Sequence, residues 1–372
     1  MVDGTSLLAA ITPKPCGTEQ IEATYRIRGG RDAALSVARL IAHEQTIELP
    51  PDVLEPGFLS DKVVARTIEV QVFDGHIDVR LAYPADLAAA GLPSLLALVF
   101  GNASYFTGVS LLDVALPPSV LGRLPGPRHG IDGLRRLTVI PERPLCGSAL
   151  KPLGASASEL AAIAEIMVRG GIDIIKDDDG LTDQVFAPFA ERVTRCAERV
   201  RETAERTGRQ AIYAPNVTGA VDTLLERALF AQERGAGAVE ILPGVMGYDA
   251  IRLLATSPSF NLPIIAHCAW SGALVRGEAF GLDASLILGL LPRLAGADIS
   301  ALPGFLGRFG VTKAQSSAVR LALKPKEAGI RGAFSMPGGG LTFEGIEETV
   351  EVFGADTILL MSTTLFRHPG GM

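Results

Sequence analysis

The sequence predicts an α/β protein in two parts: a ferredoxin-like α+β domain over residues 1–124 and a TIM (β/α)8 barrel over residues 125–372. Three observations carry this. Strand patterns, a hairpin signal and a helical pattern interleave in the first hundred residues. A Pro/Gly-rich passage, LPPSVLGRLPGPRHG (Leu116–Gly130), then reads as a linker. After Pro144 apolar stretches alternate regularly with helical patterns, and their count is eight. A doubly wound sheet is the alternative, since counting does not exclude it.

The elements follow in order. IEATYRIRG (Ile21–Gly29) alternates like a half-buried strand, and RDAALSVARLIAHE (Arg31–Glu44) has helical apolar spacing. TIEVQVFDG (Thr67–Gly75) and HIDVRLAYP (His76–Pro84) pair as a hairpin through Asp74-Gly75. LPSLLALVFG (Leu92–Gly101) is a further apolar segment of undecided type. The eight later stretches are CGSALKP, IDIIKDD, AIYAPNV, AVEILPG, PIIAHCA, DISALPG, GAFSMPGG and TILLMS. Helical patterns cover Ser158–Gly170, Pro188–Gly208, Asp222–Gly235, Tyr248–Ser257, Val311–Leu323 and Phe343–Gly354. Only TTLFRHPGGM follows the eighth stretch, which leaves no room for a full eighth helix. Closure by the N-terminal domain or by another subunit, or a sequence that stops short, is the expectation.

Bulk properties narrow the function. The chain has 372 residues, 48% hydrophobic and 20% charged, with a net charge of −7. No basic stripe exists, so nucleic acid is not expected as a partner. The longest apolar stretches reach about ten residues, too short to cross a bilayer. MVDGTSLLAAITPKPCG lacks the basic n-region and long apolar core of a secretory signal. Cys16, Cys146, Cys196 and Cys268 are widely spaced with no CxxC, which suits thiols in a reducing cytoplasm.

The chemistry gathers where barrel strands end, because active sites sit on the C-terminal face of such barrels. Those ends carry Lys151, Lys176, Asp178, Asp179, Asn216, His267, Gly304, Arg308, Gly338–Gly340 and Ser362–Thr364. Each alone has a plainer reading: a solvated lysine, a structural histidine, a glycine turn. Their convergence on one mouth favours a site. The run GGIDIIKDDDG (Gly170–Gly180) sets three carboxylates beside a lysine, and such oxygens suit Mg2+. A third oxygen comes from Lys176 only if CO2 converts its amine to a carbamate. Gly338, Gly339, Gly340, Ser362 and Thr363 supply N–H groups and hydroxyls of the kind that cradle phosphate.

With those residues in place, the pattern resembles the ribulose-bisphosphate carboxylase large subunit, and more closely its form IV RuBisCO-like proteins, over nearly the whole chain. GGIDIIKDDDG resembles the family motif GGLDFTKDDE, which implies a carbamylated Lys176 and Mg2+ ligands at Asp178 and Asp179, the last being Asp where the family has Glu. SALKPLGAS resembles TIKPKLGLS, which implies a proton-transfer role for Lys151. AHCAWSGA resembles HIHRAMHA, which implies an active-site His267. AHEQT resembles AxESSTGT and gives Glu44 as an acid entering the partner subunit's site; Gly101-Asn102 resembles GNVFG and gives Asn102. PGPRHGI resembles GPPHGI. MPGGGLT and LLMSTTLFRHPGG resemble the two phosphate loops.

The departures are equally informative. Leu153 and a one-residue deletion replace the second lysine of KPK. Cys268 stands where the family has arginine, ISALPG lacks a histidine, Arg308 replaces the loop-six lysine, and Gly338 replaces a serine. These losses remove the second phosphate's partners and the CO2-positioning lysine, so CO2 fixation on ribulose bisphosphate is not expected. The enolising half is kept, with Lys151, the carbamate or His267 as base. The resemblance implies a homodimer or larger assembly acting on a phosphorylated sugar derivative. The leading reading is a 3-oxo-isoapionate 4-phosphate decarboxylase or transcarboxylase-hydrolase. The alternatives are an enolase or isomerase of methylthio-ribulose-type phosphates, a non-catalytic scaffold, and a class II aldolase-like barrel without carbamate.

Overall fold

Strand β1 (Gln20–Arg28) buries every second residue, Ile21, Ala23, Tyr25 and Ile27, as alternating side chains on a one-sided sheet must. The computed structural model describes residues 17–54, 56–275, 281–325 and 329–370. Cys16 and the N-terminal stretch read for a signal lie outside them. The chain divides into two compact units, residues 1–123 with 277–281 and residues 124–276 with 282–372.

In the first unit β1 pairs antiparallel with β3 (His76–Pro84) and with β4 (Val109–Ala115), and β3 pairs with β2 (Arg66–Phe73). The order β4-β1-β3-β2, with helices Arg31–Glu44 and Leu92–Phe100 as crossovers, is the ferredoxin-like arrangement. The β2–β3 turn is the two-residue one the sequence signals, with Gly75 at φ 78° where a side chain would be strained. The undecided segment after Gly91 is a helix. Its run Leu92, Leu95, Leu98, Val99 buries one face at helical spacing. Strand β4 was not anticipated.

The second unit is a closed parallel barrel. Its strands are Leu145–Leu150, Ile174–Asp177, Ile212–Ala214, Val239–Ile241, Ile264–His267, Ile299–Pro303, Phe334–Gly338 and Ile358–Leu360. Ladders join strands one to three and four to seven, and strand eight pairs with strand one. Single bridges, Asn216 to Glu240 and Ser335 to Thr357, close the two remaining seams. The barrel therefore closes on its own strands, and neither the N-terminal domain nor another subunit is needed. A five-residue helix, Ser362–Phe366, stands in for the eighth. The six expected helices are present, the longest being Phe189–Thr207. One apolar cluster draws residues from around the barrel, among them Leu145, Ile174, Ile265, Phe334 and Ile358, together with Leu134 from helix Gly130–Thr138. Cys146, Cys196 and Cys268 are free thiols. Among the described residues no helix is long and apolar enough to cross a membrane.

Candidate active site

Pleating decides what the second barrel strand offers. Successive side chains point to opposite faces, so Ile174 and Lys176 face inward while Ile175 and Asp177 face the helices. Asp177 is buried there. Its Oδ2 accepts from Arg192 Nε and from Asn216 N, both at 3.0 Å, and its Oδ1 from Tyr213 OH at 2.9 Å. Burial, then the Asp177 charge, pushes the Tyr213 phenol far up, so it stays a donor. Asn216 Nδ2 donates to Asp179 O at 2.9 Å, and its Oδ1 accepts from Thr218 N at 3.0 Å. Asp177 and Asn216 are thus anchors of the acidic loop.

The anchored loop presents Asp178 and Asp179 to a cavity of about 420 Å3. Lys151, Lys176, His267, Arg308, Gly338, Gly339, Gly340, Ser362 and Thr363 line the same cavity. Glu44 and Asn102 belong to the first unit, where Asn102 Nδ2 donates to Glu44 Oε1 at 2.8 Å.

Both cavity lysines are engaged. Lys151 Nζ lies 2.5 Å from Asp178 Oδ2. Lys176, 1% exposed, places Nζ 2.7 Å from Oε2 of Glu240, which is 0% exposed. Neither Glu240 oxygen has a hydrogen bond of good geometry, so this contact is charge pairing. Burial works against the Lys176 charge. The Glu240 carboxylate outweighs it, with Asp178 and Asp179 adding to the effect, and the lysine pKa rises. Burial pushes the Glu240 carboxyl up, against the pull of Lys176. Sequence reasoning passed over Glu240. Its signal was a single acid inside the apolar stretch AVEILPG.

His267 Nδ1 accepts from Ala269 N at 3.2 Å. Burial, then Lys176 and Lys151, hold its pKa well below the usual value. A neutral ring that accepts at Nδ1 carries its proton on Nε2. His267 therefore presents an Nε2–H donor.

Strand seven ends in the glycine turn. Gly339 has φ +86°, and a Cβ there would stand 2.4 Å from the Phe309 ring. Gly304 N donates to Gly338 O at 2.8 Å and Arg308 N to Gly339 O at 3.1 Å, which ties loop six to the turn. Ser362 Oγ accepts from Ala149 N at 2.7 Å, leaving its hydroxyl hydrogen to donate. Val275, Leu288, Ala301, Leu302 and Met336 make much of the remaining wall apolar. Burial pushes the Cys268 thiol in that wall up to about 12, so it adds no charge.

The donor set fits Mg2+. Asp178 and Asp179 supply hard oxygens, and the Lys151 ammonium already marks a cation position. Mg2+ is commonly held by one or two carboxylates completed by substrate oxygens and water. Among the described residues no three His, Cys, Asp or Glu side chains could hold a metal unaided. A carbamate on Lys176 does not fit: the amine is taken up by Glu240, and the new carboxylate would face a buried one.

Residues 130–319 match the family profile described as "Ribulose bisphosphate carboxylase large chain, catalytic domain". The chain belongs to the RuBisCO large-chain family. Its similarities place it on the RuBisCO-like, form IV side. The Rubisco-like protein from Rhodopseudomonas palustris superposes with TM-score 0.83 at 36% identity, over 92% of this chain and 94% of that one. A putative 2,3-diketo-5-methylthiopentyl-1-phosphate enolase of Shouchella clausii is 32% identical over 95% of this chain and 96% of its own length. A 5-methylthioribulose-1-phosphate isomerase of Rhodospirillum rubrum is 31% identical over 94% of this chain and 92% of its own length. The chain is an enolisation-type enzyme of the RuBisCO-like family. Membership generally implies Mg2+ and a carbamylated lysine.

Proposed function

We propose that this RuBisCO-like enzyme enolises a 1-phosphorylated methylthio-pentulose or its 2,3-diketo counterpart, moving a proton between carbon and oxygen. The observation that carries this is the division of charge in the cavity. Of the three cationic side chains lining it, Lys151 and Lys176 are already paired with acids, and Arg308 stands beside the glycine turn. One phosphate has a place at Gly339, Gly340, Ser362 and Thr363. With Arg308 beside the phosphate turn, a sugar-acid carboxylate would have to compete with Asp178 or Glu240 for a lysine, whereas a methylthio group suits the apolar wall at Ala301, Leu302 and Met336. The named relatives favour this reading over the acid-sugar phosphate that the sequence put first.

The residues act as follows. The glycine turn and the Ser362 hydroxyl bind the phosphate and fix the register of the carbon chain. Mg2+ on Asp178 and Asp179 would supply Lewis-acid polarisation of the substrate carbonyl. Lys151, released from Asp178, takes the proton from the adjacent carbon, which requires its neutral amine. His267 Nε2–H donates to the oxygen on which charge develops. Glu44 and Asn102 complete the site from a second subunit of a homodimer; inactive Glu44→Ala and Lys151→Met proteins should then regain activity when mixed.

The test is hydrogen exchange in D2O with Mg2+, followed by 1H and 31P NMR. The substrates are the two methylthio phosphates and 3-oxo-isoapionate 4-phosphate, with Lys151→Met beside the wild type. Exchange or conversion of a methylthio phosphate that needs Lys151 supports the reading. Decarboxylation of the acid sugar with inert methylthio compounds overturns it. Inert mixtures throughout, with no Mg2+ binding, would leave the non-catalytic scaffold.

A further inference from the structure

Among the described residues, the Lys176–Glu240 pair is a buried charge pair in the barrel interior that the proposed chemistry leaves unused. The two residues project inward from strands two and four, 1% and 0% exposed, with 2.7 Å between Nζ and Oε2. Among the described residues Glu240 has no other donor, and neither of its oxygens has a hydrogen bond of good geometry. The cations nearby are committed elsewhere, Lys151 to Asp178 and Arg192 to Asp177. Nζ also donates to Asp177 O at 2.6 Å, which draws the amine back onto its own strand.

Carbamylation would remake this arrangement. The Nζ lone pair would attack the carbon of CO2, an N–C bond would form and a proton would leave the nitrogen. The side chain would change from a cation to an anion and confront the Glu240 carboxylate at contact distance. We propose that Glu240 is a positioning residue that keeps Lys176 as an unmodified ammonium, so that this enzyme works without the lysine carbamate its family membership implies. Lys176 then acts as a fixed positive charge in the cavity wall beside Asp178 and Asp179. The inference is independent of the substrate reading, because a carbamate is detectable whichever substrate is correct.

The experiment uses the intact enzyme saturated with Mg2+ and 13C-bicarbonate, read by 13C NMR and intact mass, with Mg2+ affinity measured with and without bicarbonate. Wild type should show no lysine carbamate and a Mg2+ dissociation constant that bicarbonate leaves unchanged. Glu240→Gln removes the opposing charge; it should acquire a carbamate, and bicarbonate should then tighten Mg2+ binding roughly tenfold. A wild-type carbamate signal that Lys176→Met abolishes overturns the proposal. A folded Glu240→Gln protein that stays unmodified overturns the role given to Glu240. Should that variant not fold, Glu240→Leu replaces it, and the wild-type spectrum decides the state of Lys176 by itself.

Discussion

Lys151 Nζ stands 2.5 Å from Asp178 Oδ2, so the proposed base and a proposed metal carboxylate share one ion pair. A cation arriving at Asp178 must displace the ammonium. Lys151→Met should therefore bind Mg2+ more tightly, by roughly tenfold or ~1.4 kcal/mol, while losing proton exchange. Titration calorimetry measures the first effect and NMR exchange the second. Weaker Mg2+ binding in the variant would show that Lys151 does not compete for Asp178.

Asp177 depends on Arg192 in a different way, because both side chains are 0% exposed. Removing one partner of a buried pair leaves the other charge uncompensated, at a cost of about 3–5 kcal/mol. Arg192→Met should lose stability on that scale in urea unfolding. It should also weaken Mg2+ binding, since the loop carrying Asp178 and Asp179 hangs on Asp177. Full stability in Arg192→Met would mean that the anchor is dispensable.

These two pairs show where the sequence was readable. The acidic motif marked Lys176, Asp178 and Asp179, but not the place of Asp177 on the helix side of the strand. It could not name Arg192, fifteen residues on, because that contact depends on how the helix Phe189–Thr207 packs. Eight apolar stretches marked the barrel since each strand is buried on both faces. The seam between strands eight and one was invisible, because pairing between ends of a chain leaves no local pattern. Strand β4 was missed for a similar reason: VSLLDVA alternates too weakly to stand out beside LPSLLALVFG. Glu240 went unnoticed because a lone acid in an apolar run gains meaning only from Lys176, two strands away across the barrel.

The glycine turn can be tested separately from the metal. Gly339→Ala would place a Cβ 2.4 Å from the Phe309 ring at φ +86°. Strain and overpacking together should cost about 1–3 kcal/mol of stability. Displacement of the turn should raise KM for the phosphorylated substrate more than it lowers kcat. Adding Phe309→Ala relieves the clash and should restore part of the stability. An unchanged KM would remove Gly339 from the phosphate site.

His267 makes the acid side of the stability profile diagnostic. Burial first, then the charges of Lys176 and Lys151, hold its pKa well below the ordinary 6.5, so the folded protein keeps the ring neutral. The unfolded chain takes up a proton as pH falls through about 6.5, and the native state does not. With more protons bound in the unfolded state, stability rises with pH in this range and falls as the solution is acidified. The loss is at most about 1.4 kcal/mol per pH unit from this one group. Other carboxylates titrate in the same interval, so the comparison is with His267→Asn, whose amide oxygen can still accept from Ala269 N. Urea unfolding at pH 7.5, 6.5 and 5.5 should show a steeper decline in the wild type than in the variant. Parallel declines would mean that the imidazole protonates freely in the fold, and with that the assignment of its proton to Nε2 as a catalytic donor would fail.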